Sequence, residues 1–76
     1  MFIIIKQRGE GMKSYSSREV IAILNDDGWK EVRCSGDHHQ FRHPEKPGTV
    51  TVTHPMKDIP RRTLNNIARQ SGVVFP

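Results

Sequence analysis

Four histidines and one cysteine stand out among the residues that can move a proton, hold a metal or attack an electrophile, and Cys34, His38, His39 and His43 crowd together, with His54 farther along. The stretch SGDHHQFRHP (35–44) sets two adjacent histidines behind a glycine, within a pattern that otherwise reads as a strand. Neighbouring residues of a strand face opposite sides of a sheet, so the two rings point apart. Phe41 belongs inside, which draws His39 to the inner face and leaves His38, Gln40 and Arg42 on the outer one. A solvent-facing imidazole ordinarily titrates near neutrality and can take a proton from a substrate or give one back. The inward His39 has the pattern of a structural residue. An inert surface histidine is the bland alternative for His38, and these residues alone leave it open.

A metal site built from Cys34, His38, His39, His43 and His54 is the rival chemistry. Its Cys-x3-His-His-x3-His spacing lacks the paired ligands of zinc modules, and no metal is expected. As the only cysteine, Cys34 excludes an internal disulfide. It is expected to be a small buried thiol in a protein of a reducing, cytoplasmic compartment. His43 and His54 each precede a proline near a strand end, where stabilising a turn is the expected role.

These side chains must be positioned by few elements, because 76 residues make one small domain with a single modest core. YSSREVIAILNDDG reads as a helix with Ser16 as N-cap, Glu19 as capping-box partner, Tyr15 stapled onto Val20 and Gly28 as terminator. Val20, Ile21, Ile23 and Leu24 are expected to form its buried stripe. WKEVRCSG and HHQFRHPEKPG read as strands divided by a turn at Ser35-Gly36, and TVTVTHP is a third strand with Val50 and Val52 inward. Thr49, Thr51 and Thr53 then line the outer face beside His38. DIPRRTLNNIARQSG reads as a second helix with Pro60 in its first turn, Leu64, Ile67, Ala68 and Ser71 on one face, and Gly72 ending it. The expected fold class is α+β, α-β-β-β-α, with two helices on one face of a three-stranded antiparallel sheet and the other face wet. Residues 1–11 form an extension whose apolar MFIII suits an edge strand or a loose arm and is too short for a membrane span. Residues 12–76 form the domain.

The net charge of +4 and pI near 9.7 favour an anionic partner. Residues 16–28 carry one basic and three acidic groups, whereas residues 29–62 carry seven basic, four acidic and all four histidines. The basic character thus surrounds the histidines, where Lys30, Arg33 and Arg42 are candidates to hold phosphate. Arg61 and Arg62 oppose the dipole of the second helix, so stability alone does not explain them.

From MKSYSSREVIAILNDDGW through GDHHQFRHPEKPGTVTVTHPMKDIPRRTLNNIARQSG, the chain resembles the HicA toxins of bacterial HicA–HicB toxin–antitoxin pairs. The resemblance spans residues 12–72, which is 61 of 76 positions. Its most specific parts are Gly28-Trp29, the Gly-x-His block at 36–38, the HP and KPG that follow, HP at 54–55, Lys57-Asp58 with Pro60, and QSG at 70–72. It implies a fold similar to double-stranded-RNA-binding domains and an endoribonuclease that cleaves mRNA and is inhibited by a HicB-type antitoxin. The family's catalytic histidine lies in Gly-Ser-His or Gly-Asp-His and falls on His38. Asp37 stands where Ser is commoner.

The chemistry fits that assignment, because RNA brings its own nucleophile in the 2′-OH and needs mainly proton transfer and charge stabilisation. One imidazole contributes roughly 10² to 10⁴-fold to such a step, with neither metal nor small-molecule cofactor. Gly36, Asp37, His39 and Gln40 are candidate supporting residues. Lys30, Arg33, Arg42, Thr51, Lys57, Arg61 and Arg62 are candidate RNA contacts, to the backbone rather than to base edges. The competing function is a non-catalytic RNA-binding module of the same fold.

Overall fold

In the computed structural model, which describes residues 13–76, the chain runs α1 (Ser17–Asp27), β1 (Lys30–Ser35), β2 (His38–Arg42), β3 (Val50–Thr53) and α2 (Arg61–Ser71). The expected reading of MFIII and the 1–11 extension falls outside those residues. Among the described residues no helix is long and apolar enough to cross a membrane.

The caps of α1 act as the sequence predicts. The Ser16 hydroxyl accepts from Glu19 N while the Glu19 carboxylate accepts from Ser16 N, so orphan amides at the helix start are satisfied reciprocally. At the other end Gly28 adopts φ 109°, and Trp29 N donates to Leu24 O at 2.9 Å, closing the helix and delivering the buried indole to the core. A side chain at position 28 is excluded twice, by the positive φ and because a Cβ would lie 2.7 Å from His43 Nε2.

The three strands pair antiparallel in the order β1-β2-β3. Phe41, Val50 and Val52 are fully buried on one face, together with Val20 and Leu24 of α1 and Leu64 and Ile67 of α2. Both helices therefore lie on that face, and they pack chiefly on β3. This is the expected α+β architecture similar to double-stranded-RNA-binding domains. Burying each such side chain contributes about 1.5–3 kcal/mol, so the layer beneath β2 and β3 holds the sheet in place.

Four details depart from the sequence reading. Cys34 is exposed rather than buried, because the helices sit over β3 and every residue of β1 remains exposed. Ile21 and Ile23 are only half-buried, since the stripe that meets the sheet is Ser17, Val20 and Leu24 and these two isoleucines flank it. The hairpin turn is Gly36-Asp37, with Ser35 paired to His38, one residue later than expected. Pro60 is the N-cap of α2 with ψ 145°, one residue outside the helix.

Candidate active site

The face of the sheet turned away from the helices is built from three cross-strand rows. Ser35, His38 and Thr53 form one, Arg33, Gln40 and Thr51 the next, and Lys30 and Arg42 the last. His38 lies on the middle strand with 61% of its side chain exposed. Gly36, at φ 60°, makes the tight turn that starts β2 there, and a Cβ on it would meet nothing within 4 Å. The carboxylate of Asp37 stands 3.9 Å from His38 Nδ1, too far for a hydrogen bond but within reach of a small side-chain rotation. Asp37 O accepts from His54 N at 2.8 Å, which ties the hairpin turn to the end of β3.

The charge of this face follows from a bulge. Glu31 pairs with Phe41 and Arg33 with Gln40, so Val32 is the extra residue and Glu31 turns to the helix side. The strands thus present Lys30, Arg33 and Arg42 on the outer face and no carboxylate. Lys30 and Arg42 stand directly opposite each other, an arrangement that costs stability and favours a bound anion. Among the described residues none of these three cations is in an ion pair.

The other sequence candidates lie elsewhere. His39 shares the face of Val52 and is largely enclosed, its ring edge-on to His54 at 5.2 Å. Arg61 and Arg62 are exposed at the start of α2, in the helix layer, where the Arg61 guanidinium donates to Lys13 O. Lys57 lies with Arg18 beside a shallow groove between the start of α1 and the segment after β3. The structure therefore brings Lys30, Arg33, Gln40, Arg42 and Thr51 onto the face of His38 and leaves Lys57, Arg61 and Arg62 off the sheet face.

His43 holds the turn after β2, as the sequence implies, and His54 contacts the start of α1. His43 Nδ1 accepts from Glu45 N and Lys46 N, and Nε2 donates to Asp27 O at 2.8 Å, with the ring edge-on to Trp29. His54 Nδ1 lies 2.6 Å from the Ser17 hydroxyl. Lys46, which the sequence did not single out, donates to the Asp27 carboxylate at 2.7 Å and to Ser71 O at 3.1 Å, clamping the C-terminal ends of both helices. Its hydrogen bond holds the Asp27 carboxyl below the ordinary carboxylate range, and the Lys13 ammonium does the same for Glu19. Both shifts belong to the scaffold. Ser35 was also missed; a two-residue Gly-Asp hairpin turn was the signal that would have set it opposite His38.

A family model described as the HicA toxin of bacterial toxin–antitoxin systems matches residues 17–73, which is 57 of the 76 residues and covers both helices and the whole sheet. No curated protein matches the chain.

Proposed function

The chain belongs to the HicA toxin family of bacterial toxin–antitoxin systems, and from that premise we propose that it is an endoribonuclease that cleaves mRNA in the cytoplasm with His38 as its catalytic residue. As a member of the family it is the toxin of such a system and pairs with an antitoxin. The observation that carries the enzymatic reading is the placing of one exposed imidazole on a sheet face whose strands offer three cations and no carboxylate.

On that face a ribose-phosphate backbone meets Lys30, Arg33 and Arg42 through its phosphates and Gln40 and Thr51 through hydroxyl and phosphate oxygens. His38 takes the proton of a 2′-OH. The freed oxygen attacks the adjacent phosphorus, and the P–O5′ bond breaks, leaving a 2′,3′-cyclic phosphate on one fragment and, once the 5′-oxygen is protonated, a 5′-hydroxyl on the other. The cations stabilise the charge that builds on the phosphoryl oxygens as the bond forms, the larger share of catalysis at such sites. Rotation of the Asp37 carboxylate onto Nδ1–H orients the ring so that Nε2 meets the substrate. The nucleophile comes from the substrate, so the step needs no metal-bound water.

Among the described residues nothing covers this face, and restraint is assigned to a partner that does. We assign that role to a HicB-type antitoxin, acidic where it docks. Arg61 and Arg62 lie in the other layer and are proposed to guide either the RNA or the antitoxin at the rim. The test is cleavage of a short RNA against the same oligonucleotide with single 2′-deoxy substitutions. Loss of cleavage at the substituted position, with cyclic phosphate ends elsewhere, is expected. Cutting at a 2′-deoxy position overturns the mechanism, and RNA binding without cleavage moves the assignment to the non-catalytic module.

A further inference from the structure

We propose that Glu31, Cys34 and His39 form a binding site for a zinc-class divalent cation on the helix side of the sheet, at the β1 edge that the helices leave uncovered. In a regular strand Cys34 shares its face with Val32, and Glu31 points the other way. The bulge at Val32 reverses that parity, so that Glu31, Cys34 and His39 stand on one side, across β1 and β2. Bulges re-aim side chains in this way beside functional sites.

One donor atom from each of the three lies within 4.8 Å of the others. Glu31 Oε1 is 3.2 Å from His39 Nδ1, and Cys34 Sγ is 3.6 Å from Nε2. Zinc bonded to sulfur at about 2.3 Å and to nitrogen or oxygen at about 2.0 Å in a tetrahedron separates its ligands by about 3.3–3.6 Å; an ion takes one ring nitrogen, so the contact of Glu31 with Nδ1 is already of that length, while Cys34, which lies nearest Nε2, has to swing toward Nδ1. Glu31 and Cys34 are exposed and can close the remaining distance by side-chain rotation.

A second observation points to a missing partner. His39 Nδ1 is buried and has no hydrogen bond among the described residues, although a carboxylate oxygen stands 3.2 Å away. A cation held between the two atoms satisfies both. Thiolate, imidazole and carboxylate together suit Zn²⁺, whereas Mg²⁺ and Ca²⁺ take oxygen ligands. Three protein ligands leave a fourth position for water. Binding releases the Cys34 proton to solvent. His38 lies on the opposite face, His43 beneath Trp29 and His54 on Ser17, so none of them joins this set. The bound ion staples β1 to β2 behind the face that carries Lys30 and Arg33.

The experiment uses the full chain, reduced and stripped of metal, titrated with Co²⁺ and then with Zn²⁺. One equivalent of Co²⁺ is expected to give a thiolate-to-cobalt charge-transfer band and the intense visible bands of a four-coordinate ion, both displaced by Zn²⁺. Cys34→Ser removes the charge-transfer band. Glu31→Gln weakens zinc binding at least tenfold, because a charged carboxylate ligand is replaced by a neutral amide. Both side chains are exposed, so circular dichroism of the metal-free variants should match the parent. Absence of the sulfur band, or zinc affinity unchanged in both variants, overturns the proposal. RNA cleavage is no part of the readout, so the result stands apart from the fate of the nuclease reading.

Discussion

His38→Ala should separate catalysis from stability more cleanly than any other change in this chain. The side chain is 61% exposed, sits on the wet face and makes no hydrogen bond among the described residues. Removing it leaves no cavity and no orphaned partner, so stability should stay within about 0.5 kcal/mol of the parent. Its neighbour supplies the control. The His39 side chain is 18% exposed, packed edge-on against His54 and within reach of Glu31, and His39→Ala should cost about 1–2 kcal/mol. Cleavage should respond the other way round. Loss of a general acid or base lowers the rate roughly 10² to 10⁴-fold, or about 3–5 kcal/mol of transition-state stabilisation at about 1.4 kcal/mol per decade. RNA affinity should change little, because Lys30, Arg33 and Arg42 remain. The assay is single-turnover cleavage of an unstructured RNA with enzyme in excess, paired with urea unfolding of each variant. A folded His38→Ala protein that cleaves within about threefold of the parent rate would refute the assignment, and one that loses cleavage only in proportion to lost stability would make His38 a structural residue.

If the three strand cations contact phosphates, the log–log dependence of RNA affinity on salt should have a slope near −2, and Arg33→Gln should shallow it by about 0.7; an unchanged slope would remove Arg33 from the interface. Hydrogen exchange of the antitoxin complex, made with the inactive His38→Ala protein, should show residues 36–42 protected relative to the free toxin, whereas equal exchange would rule out inhibition by masking. His43→Ala should destabilise the fold by about 2–4 kcal/mol, since three hydrogen bonds and the contact with Trp29 are lost together; a urea midpoint close to the parent's would contradict that role. The Asp27 carboxyl is held below its ordinary value of 3.8 by Lys46, so its contribution is present above that value and is lost as pH falls through the lower folded-state value. Asp27→Asn should flatten the acid limb of the stability profile, and an identical limb in parent and variant would show that the pair contributes nothing.

What the sequence determined by itself was what depends on residues close together in the chain. The capping box at Ser16 and Glu19, the glycine that ends α1 and the alternation of Val50 and Val52 are enforced within one or two turns of backbone, and all stand as read. The outward direction of His38 was legible for the same reason, because one anchored neighbour, Phe41, fixes the parity of a short regular strand. Tertiary structure decided what depends on pairing and coverage. The bulge at Val32 arises from the register of β1 against β2, which no local pattern in KEVRCS encodes, and it alone moves Glu31 off the His38 face. Cys34 is exposed because the helices settle over β3, a choice made by how Leu24, Leu64 and Ile67 pack against Val50 and Val52. The same packing puts Arg61 and Arg62 in the helix layer, apart from the cations of β1 and β2 that lie near them in composition but not in space.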